Sequence, residues 1–223
     1  MCLGILKSSI GKKAVMAFTG LILLGFVVVH MLGNLQIFLG AEWLNAYGEH
    51  LQELPLLLWP ARVFLLVTLI THMVLALQLA IENKKARPTP YTAKDTLEAS
   101  LASRTMVLSG LVIFFFIIYH LLHFTWGATN PEFYHLTDAQ GRHDVYSMVV
   151  LSYQNVWISL AYLAAMFFLF LHLSHGAPRF LQSIGLNNDN MVKKIEKFGL
   201  GLAWIIFLGN CSIPVAVLSG VIK

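Results

Sequence analysis

The sequence predicts an all-helical integral membrane protein with five spans, and three observations predict it. Hydrophobic residues make up 57% of the 223 residues and charged residues only 12%. A water-soluble domain carries about 25% charge to cover its surface. Five long stretches contain almost no charge, and the basic residues cluster on one side of them.

A bilayer core about 30 Å thick needs about 20 apolar residues per spanning helix. Residues 14–41 are uncharged and predict a first span at 15–39. That stretch is too long for the apolar region of a signal peptide, and no small-residue cleavage motif follows it. Residues 54–81 contain only Arg62 and predict a span at 57–81. Residues 105–130 are uncharged and predict 105–127. Residues 145–178 are uncharged, with an early part polar enough to lie at the interface, and predict 150–177. Residues 198–222 predict a last span at 198–221. Loops of roughly 15–25 residues join them into a single domain over residues 1–223, with the first four spans forming an up-down bundle.

Twelve of the 15 basic residues fall on one side. They are Lys7, Lys12 and Lys13, then Lys84, Lys85, Arg87, Lys94 and Arg104, then Arg179, Lys193, Lys194 and Lys197. The other side holds Arg62, Arg142 and Lys223 with most of the acidic residues. Basic loops stay cytoplasmic, so the N-terminus is expected inside, in a multi-pass protein of the cell's inner (cytoplasmic) membrane. The net charge of +4 is then a topology signal, and no nucleic-acid partner is expected.

Ionisable side chains inside a membrane are costly and mark function. His30, His72, His120 and His172 lie in the first four spans, one in each. From a rise of 1.5 Å per residue, His30 and His120 both lie about 22 Å from the cytoplasmic edge. His72 and His172 lie about 14 Å and about 9 Å from it. The ranking makes an outer pair and an inner pair, each across a diagonal of the bundle. Bundles build cofactor sites from facing helices, and two imidazoles at one depth suit the iron of a flat macrocycle. Two haems stacked across the membrane are therefore expected. With only Cys2 and Cys211, the chain cannot ligate an iron–sulfur cluster alone.

A local repeat accompanies the outer pair. Thr19-Gly20-Leu21 precedes His30, and Ser109-Gly110-Leu111 precedes His120 at identical spacing. Eleven residues put Thr19 about 16 Å further in on the face of His30. Gly20 and Gly110 are expected to make room for the inner haem, with Thr19 and Ser109 bonding near it. The bland alternative is close packing of small residues. His123 and His175 sit one turn beyond His120 and His172, as propionate or quinone contacts, substitute ligands, or ordinary interfacial histidines.

These motifs, with His172-x3-Gly176 and His72 ahead of the basic turn at 83–88, resemble the large cytochrome b membrane anchor of succinate:quinone oxidoreductases, which include fumarate reductases. The resemblance is to the single-anchor, five-helix, two-haem type and covers essentially the whole chain. It implies metal ligands His30 and His120 for the outer haem, and His72 and His172 for the inner one. It implies a flavoprotein subunit and an iron–sulfur subunit docked on the cytoplasmic face, with succinate or fumarate chemistry on those partners, and places the complex in the tricarboxylic acid cycle as complex II. Electrons would pass to or from a quinone, menaquinone by preference, and a higher oligomer of the complex is compatible with it. Some fumarate reductases carry a carboxylate two residues before the helix-four ligand, where this chain has Phe170. That departure favours succinate oxidation.

Arg104 and Arg179 near the inner haem's end, and Arg62 near the outer, are candidate propionate partners, with Gly176 as a further cofactor contact. Trp43, Glu49 and His50 in the first outer loop are candidates for a quinone lid and proton relay. His135 and His143 share the outer loops. The rival readings are a bis-histidine cytochrome b anchor of another quinone-linked oxidoreductase, a non-haem metal protein built on His120-x2-His123 and His172-x2-His175, and a haem-free anchor.

Overall fold

A computed structural model describes residues 8–86, 101–183 and 189–223. Cys2, Lys7, Arg87, Lys94 and the end of the basic turn at 83–88 lie outside the described residues. The described residues are mainly helical, and five of their helices are long and apolar enough to cross a membrane.

Helix α1 covers Ser9–Asn34. Ser8 caps it, its hydroxyl accepting from the Gly11 amide at 3.0 Å, which satisfies one of the four orphan donors of a helix start. After Asn34 the coil tightens to a 3-10 turn, Leu35–Leu39, and ends at Gly40, whose φ of 103° favours glycine. Helix α2, Ala41–Gln52, follows, then α3, Pro55–Lys85. Pro55 occupies the first turn of α3, where no donor is lost. Lys12 and Glu82 form an ion pair that ties the start of α1 to the end of α3.

A single turn, α4 (Leu101–Arg104), leads into α5, Met106–His120. The α5 coil then widens into a π turn, Leu121–Thr125. A short α6 (Pro131–Tyr134) and α7 (Val145–Gln154) precede the fourth span, α8, Val156–Ser183. The last span is α9, Asp189–Leu218.

Three expectations need correction. The span expected at 150–177 does not start as one helix, because Asn155 adopts an extended backbone (ψ 114°) and separates α7 from α8. Its side chain accepts from the Trp157 and Ile158 amides, so it starts α8 as an N-cap. The connections between the first and second spans and between the third and fourth are not plain loops, since α2, α6 and α7 lie in them. The helices also outrun the apolar stretches: α9 begins before Lys193, Lys194 and Lys197, and α3 continues through Lys84 and Lys85. Charged residues form helices readily once they leave the hydrocarbon.

Helix α1 packs on α3 and α8, and α5 packs on α8 and α3. The four therefore run in the cyclic order α1, α3, α5, α8, leaving α1/α5 and α3/α8 as the diagonals. Helix α9 lies outside the ring against α8 and α1. The main apolar cluster sits at one end, where Ile37, Leu44, Val150, Tyr153, Tyr162, Ile213 and Val217 join the 3-10 turn, α2 and α7 to the ends of α8 and α9. Large apolar side chains along the span exteriors, such as Phe64, Val67, Phe115 and Ile205, are exposed, as a lipid-facing surface requires.

Candidate cofactor site

The four intramembrane histidines meet in two pairs, each across a diagonal. The His30 and His120 ring centroids are 5.7 Å apart and the rings are perpendicular. Those of His72 and His172 are 6.4 Å apart.

The second pair is held by the repeat in α1 and α5. His72 Nδ1 lies 3.1 Å from Thr19 Oγ1 and 3.1 Å from the Met16 carbonyl. A carbonyl only accepts, so Nδ1 carries the hydrogen and Nε2 keeps its lone pair. The Thr19 hydroxyl spends its own hydrogen on the carbonyls of Val15 or Met16. The match at the other member of the pair is close. His172 Nδ1 donates to Ser109 Oγ at 3.2 Å with the Met106 carbonyl alongside, and Ser109 in turn donates to Met106. So the α1 repeat secures the α3 histidine and the α5 repeat secures the α8 histidine.

The glycines serve the same contact. A Cβ on Gly20 would stand 3.1 Å from His72 Cε1, and one on Gly110 would stand 3.4 Å from His172 Cε1. The room each glycine leaves is taken by an imidazole ring. The group nearest each glycine is thus an imidazole of the second pair.

The first pair is held differently. Asn34 Nδ2 donates to His30 Nε2 at 3.1 Å, and Phe26 stacks on the His30 ring. His120 Nδ1 lies 3.4 Å from the Tyr162 hydroxyl, among Phe116 and Phe124. Tyr162 also reaches His123 Nδ1 at 2.9 Å. His123 sits in the π turn, 1% exposed. π turns occur often at functional sites.

The donor set fits an iron held by two imidazoles. Metal–imidazole bonds of about 2 Å bring the centroids of two opposed rings to roughly 6 Å, and both pairs stand near that. Hydrogen bonds at Nδ1 fix the tautomer that offers Nε2, as metal-bound histidines require. His72 and His172 meet this fully, His120 meets it through Tyr162, and His30 would have to give up Asn34. Among the described residues, no group of three or more His, Cys, Asp or Glu side chains converges for a metal.

Other candidates stand apart. The Arg62 guanidinium stacks over Trp59, 5.2 Å from the ring centre. Arg104 and Arg179 are exposed. His175 is half-buried, and Gly176 faces Met106 at ordinary contact distance. Phe170 packs on Trp204 and Phe207 of α9, so that position faces the fifth helix. Trp43 is 60% exposed and His50 is exposed.

Glu49 lines a polar cleft of about 330 Å³ with Gln52, Glu53, Gly141, Arg142 and His143. Beside it Arg142 donates to Glu42 at 2.8 and 3.0 Å and to Asp138 at 2.7 Å. Buried Asn45 links Asp138, Asp144 and the Tyr146 amide, which fastens α2 to the 138–146 segment. His135 and His143 flank Tyr134.

Sequence reasoning missed Met16, Met106, Asn34 and Tyr162. Met16 and Met106 could have been found, because they extend the repeat to Met-x2-(Thr/Ser)-Gly-Leu. Neither a protein-family model, nor a curated protein, nor a solved structure matches this chain. What it does is therefore to be read from its residues and their geometry.

Proposed function

We propose that the chain is the di-haem cytochrome b anchor of a succinate:quinone oxidoreductase, passing electrons between a partner's iron–sulfur cluster and a membrane quinone. One observation carries the reading: two imidazole pairs, each across a diagonal of a four-helix bundle, at two levels. Thr19, which touches His72, lies eleven residues before His30, about 16 Å along the same helix. That spacing gives two macrocycles separate places in one bundle.

Bound haem iron supplies one-electron transfer without bond making. The protein's residues hold it in place. Thr19, Met16 and Ser109 fix two imidazoles as neutral Nε2 ligands, and the apolar spans keep water out. His30 and His120 serve the outer group, and His72 and His172 the inner one. The basic ends of α3 and α9 form the cytoplasmic face, where the flavoprotein and iron–sulfur subunits dock. Dicarboxylate chemistry belongs to those partners, so this chain is the quinone-reactive subunit in the cytoplasmic membrane.

A reduced-minus-oxidised visible spectrum of the purified protein tests this. The expected result is b-type absorbance with two haems per chain. His30→Leu and His120→Leu should remove one spectral component, His72→Leu and His172→Leu the other. No b-type absorbance sinks the haem assignment. Haem without co-purifying flavin would favour the bis-histidine anchor of another quinone-linked oxidoreductase.

A further inference from the structure

We propose that Tyr162 is a positioning residue for His120, and that it couples the outer imidazole pair to the buried side chain of His123. The inference rests on the proposed function in one respect: His120 gives Nε2 to a metal.

Every hydrogen in the chain then has one place. His120 carries its hydrogen on Nδ1 and donates to the Tyr162 oxygen, at 3.4 Å. The single tyrosine hydrogen goes to His123 Nδ1, at 2.9 Å. His123 must therefore carry its own hydrogen on Nε2. That atom is buried and has no hydrogen-bond partner among the described residues. An orphaned buried donor is unusual and calls for a reason. Here the reason is that Tyr162 commits Nδ1 as the acceptor.

The surroundings hold the arrangement. Phe116, Tyr119, Phe124 and Tyr153 ring the tyrosine with centroids 5.0–5.9 Å away. The π turn holds His123 on the same side of α5 as His120, both within reach of one hydroxyl. The inner pair has no such link, since its Nδ1 atoms end on threonine or serine and a backbone carbonyl. An acceptor at Nδ1 makes Nε2 a stronger base. The tyrosine therefore stabilises the oxidised form of a metal at the outer pair only.

Two measurements test this. In the full chain labelled with 15N-histidine, purified in detergent and kept reduced, ring nitrogen shifts should report His120 with hydrogen on Nδ1 and His123 with hydrogen on Nε2. Tyr162→Phe, which keeps the aromatic packing, should move both residues' shifts and leave His72 and His172 alone. A His123 found with hydrogen on Nδ1, or shifts untouched by Tyr162→Phe, overturns the coupling. In the haem-loaded protein, potentiometry should show one of two components moving to higher potential in Tyr162→Phe, at unchanged haem content. Movement of neither component, or equal movement of both, overturns the positioning role. Failure of the haem reading itself would show as missing b-type absorbance in the unsubstituted chain, and the nitrogen shifts still decide the hydrogen-bond chain.

Discussion

The Thr19 hydroxyl of α1 stands 3.1 Å from Nδ1 of His72 on α3, sharing it with the Met16 carbonyl. One imidazole thus has two acceptors, one from a side chain and one from the backbone. Thr19→Val keeps the shape and removes only the hydroxyl. If His72 holds the proposed haem, the loss of one hydrogen-bond partner of a metal-bound histidine costs about 10–100-fold in affinity, and the Met16 carbonyl remains, so a loss near about ten-fold is expected. Haem retained per chain on dilution measures it, and Thr19→Ser should restore it. Wild-type retention in Thr19→Val would mean that the hydroxyl contributes nothing.

Gly20 and Gly110 occupy equivalent places but are not equally tight. An added methyl meets His72 at 3.1 Å and His172 at 3.4 Å. The first distance is strained and the second is ordinary contact. Gly20→Ala should therefore displace His72 and cost about 1–3 kcal/mol, in the range of overpacked interiors. Gly110→Ala should be close to neutral. Thermal denaturation in detergent reports the ranking. Equal damage from the two substitutions would contradict the assigned contacts.

The spans were legible because a bilayer imposes a length on apolar runs, and the diagonal pairing of the histidines because a helix converts residue number into depth. Azimuth was not legible. Which neighbour touches His72 depends on how α1 rolls against α3, and no spacing rule settles that. So the sequence could put Thr19 and Gly20 in the layer of His72 but could not show that they touch its ring. Tyr162 escaped notice because a tyrosine in an apolar helix is ordinary until its hydroxyl is seen between two histidines. Asn155 could have been read as a break, being a capping residue inside an otherwise apolar run.

That break makes its own prediction. Asn155 accepts from Trp157 N at 3.0 Å and Ile158 N at 3.4 Å, starting α8 where α7 has ended. Asn155→Ala leaves those amides without a cap and should cost about 1 kcal/mol. Asn155→Asp or Asn155→Ser should recover most of it. Thermal midpoints in detergent give the comparison. An alanine variant as stable as the parent would show that α7 and α8 can run on as one helix.

At the same end of the bundle the Arg142 cluster sets an acid limit on the 138–146 segment. Glu42 is held below its ordinary range chiefly by its hydrogen bonds from Arg142. For Asp138, burial pushes upward, but hydrogen bonds from Arg142 and the Gln140 amide outweigh it and the carboxyl is lowered. Both folded values lie below the unfolded ones, so the folded state binds fewer protons. Their stabilisation is complete above the unfolded values near about pH 4, and it is lost as pH falls through the lower folded values. Burial pushes the His143 imidazole below its ordinary value, with Asp144 opposing, so the fold favours its neutral form. Amide exchange across 138–146, once corrected for intrinsic rate, should therefore rise most steeply below about pH 4. Arg142→Gln should produce at pH 7 the opening that acid produces in the parent, because Asp138 loses its cation while its side chain remains 10% exposed. A steeper rise in the parent between pH 7 and about pH 5 would mean that a histidine, rather than these carboxylates, governs the segment.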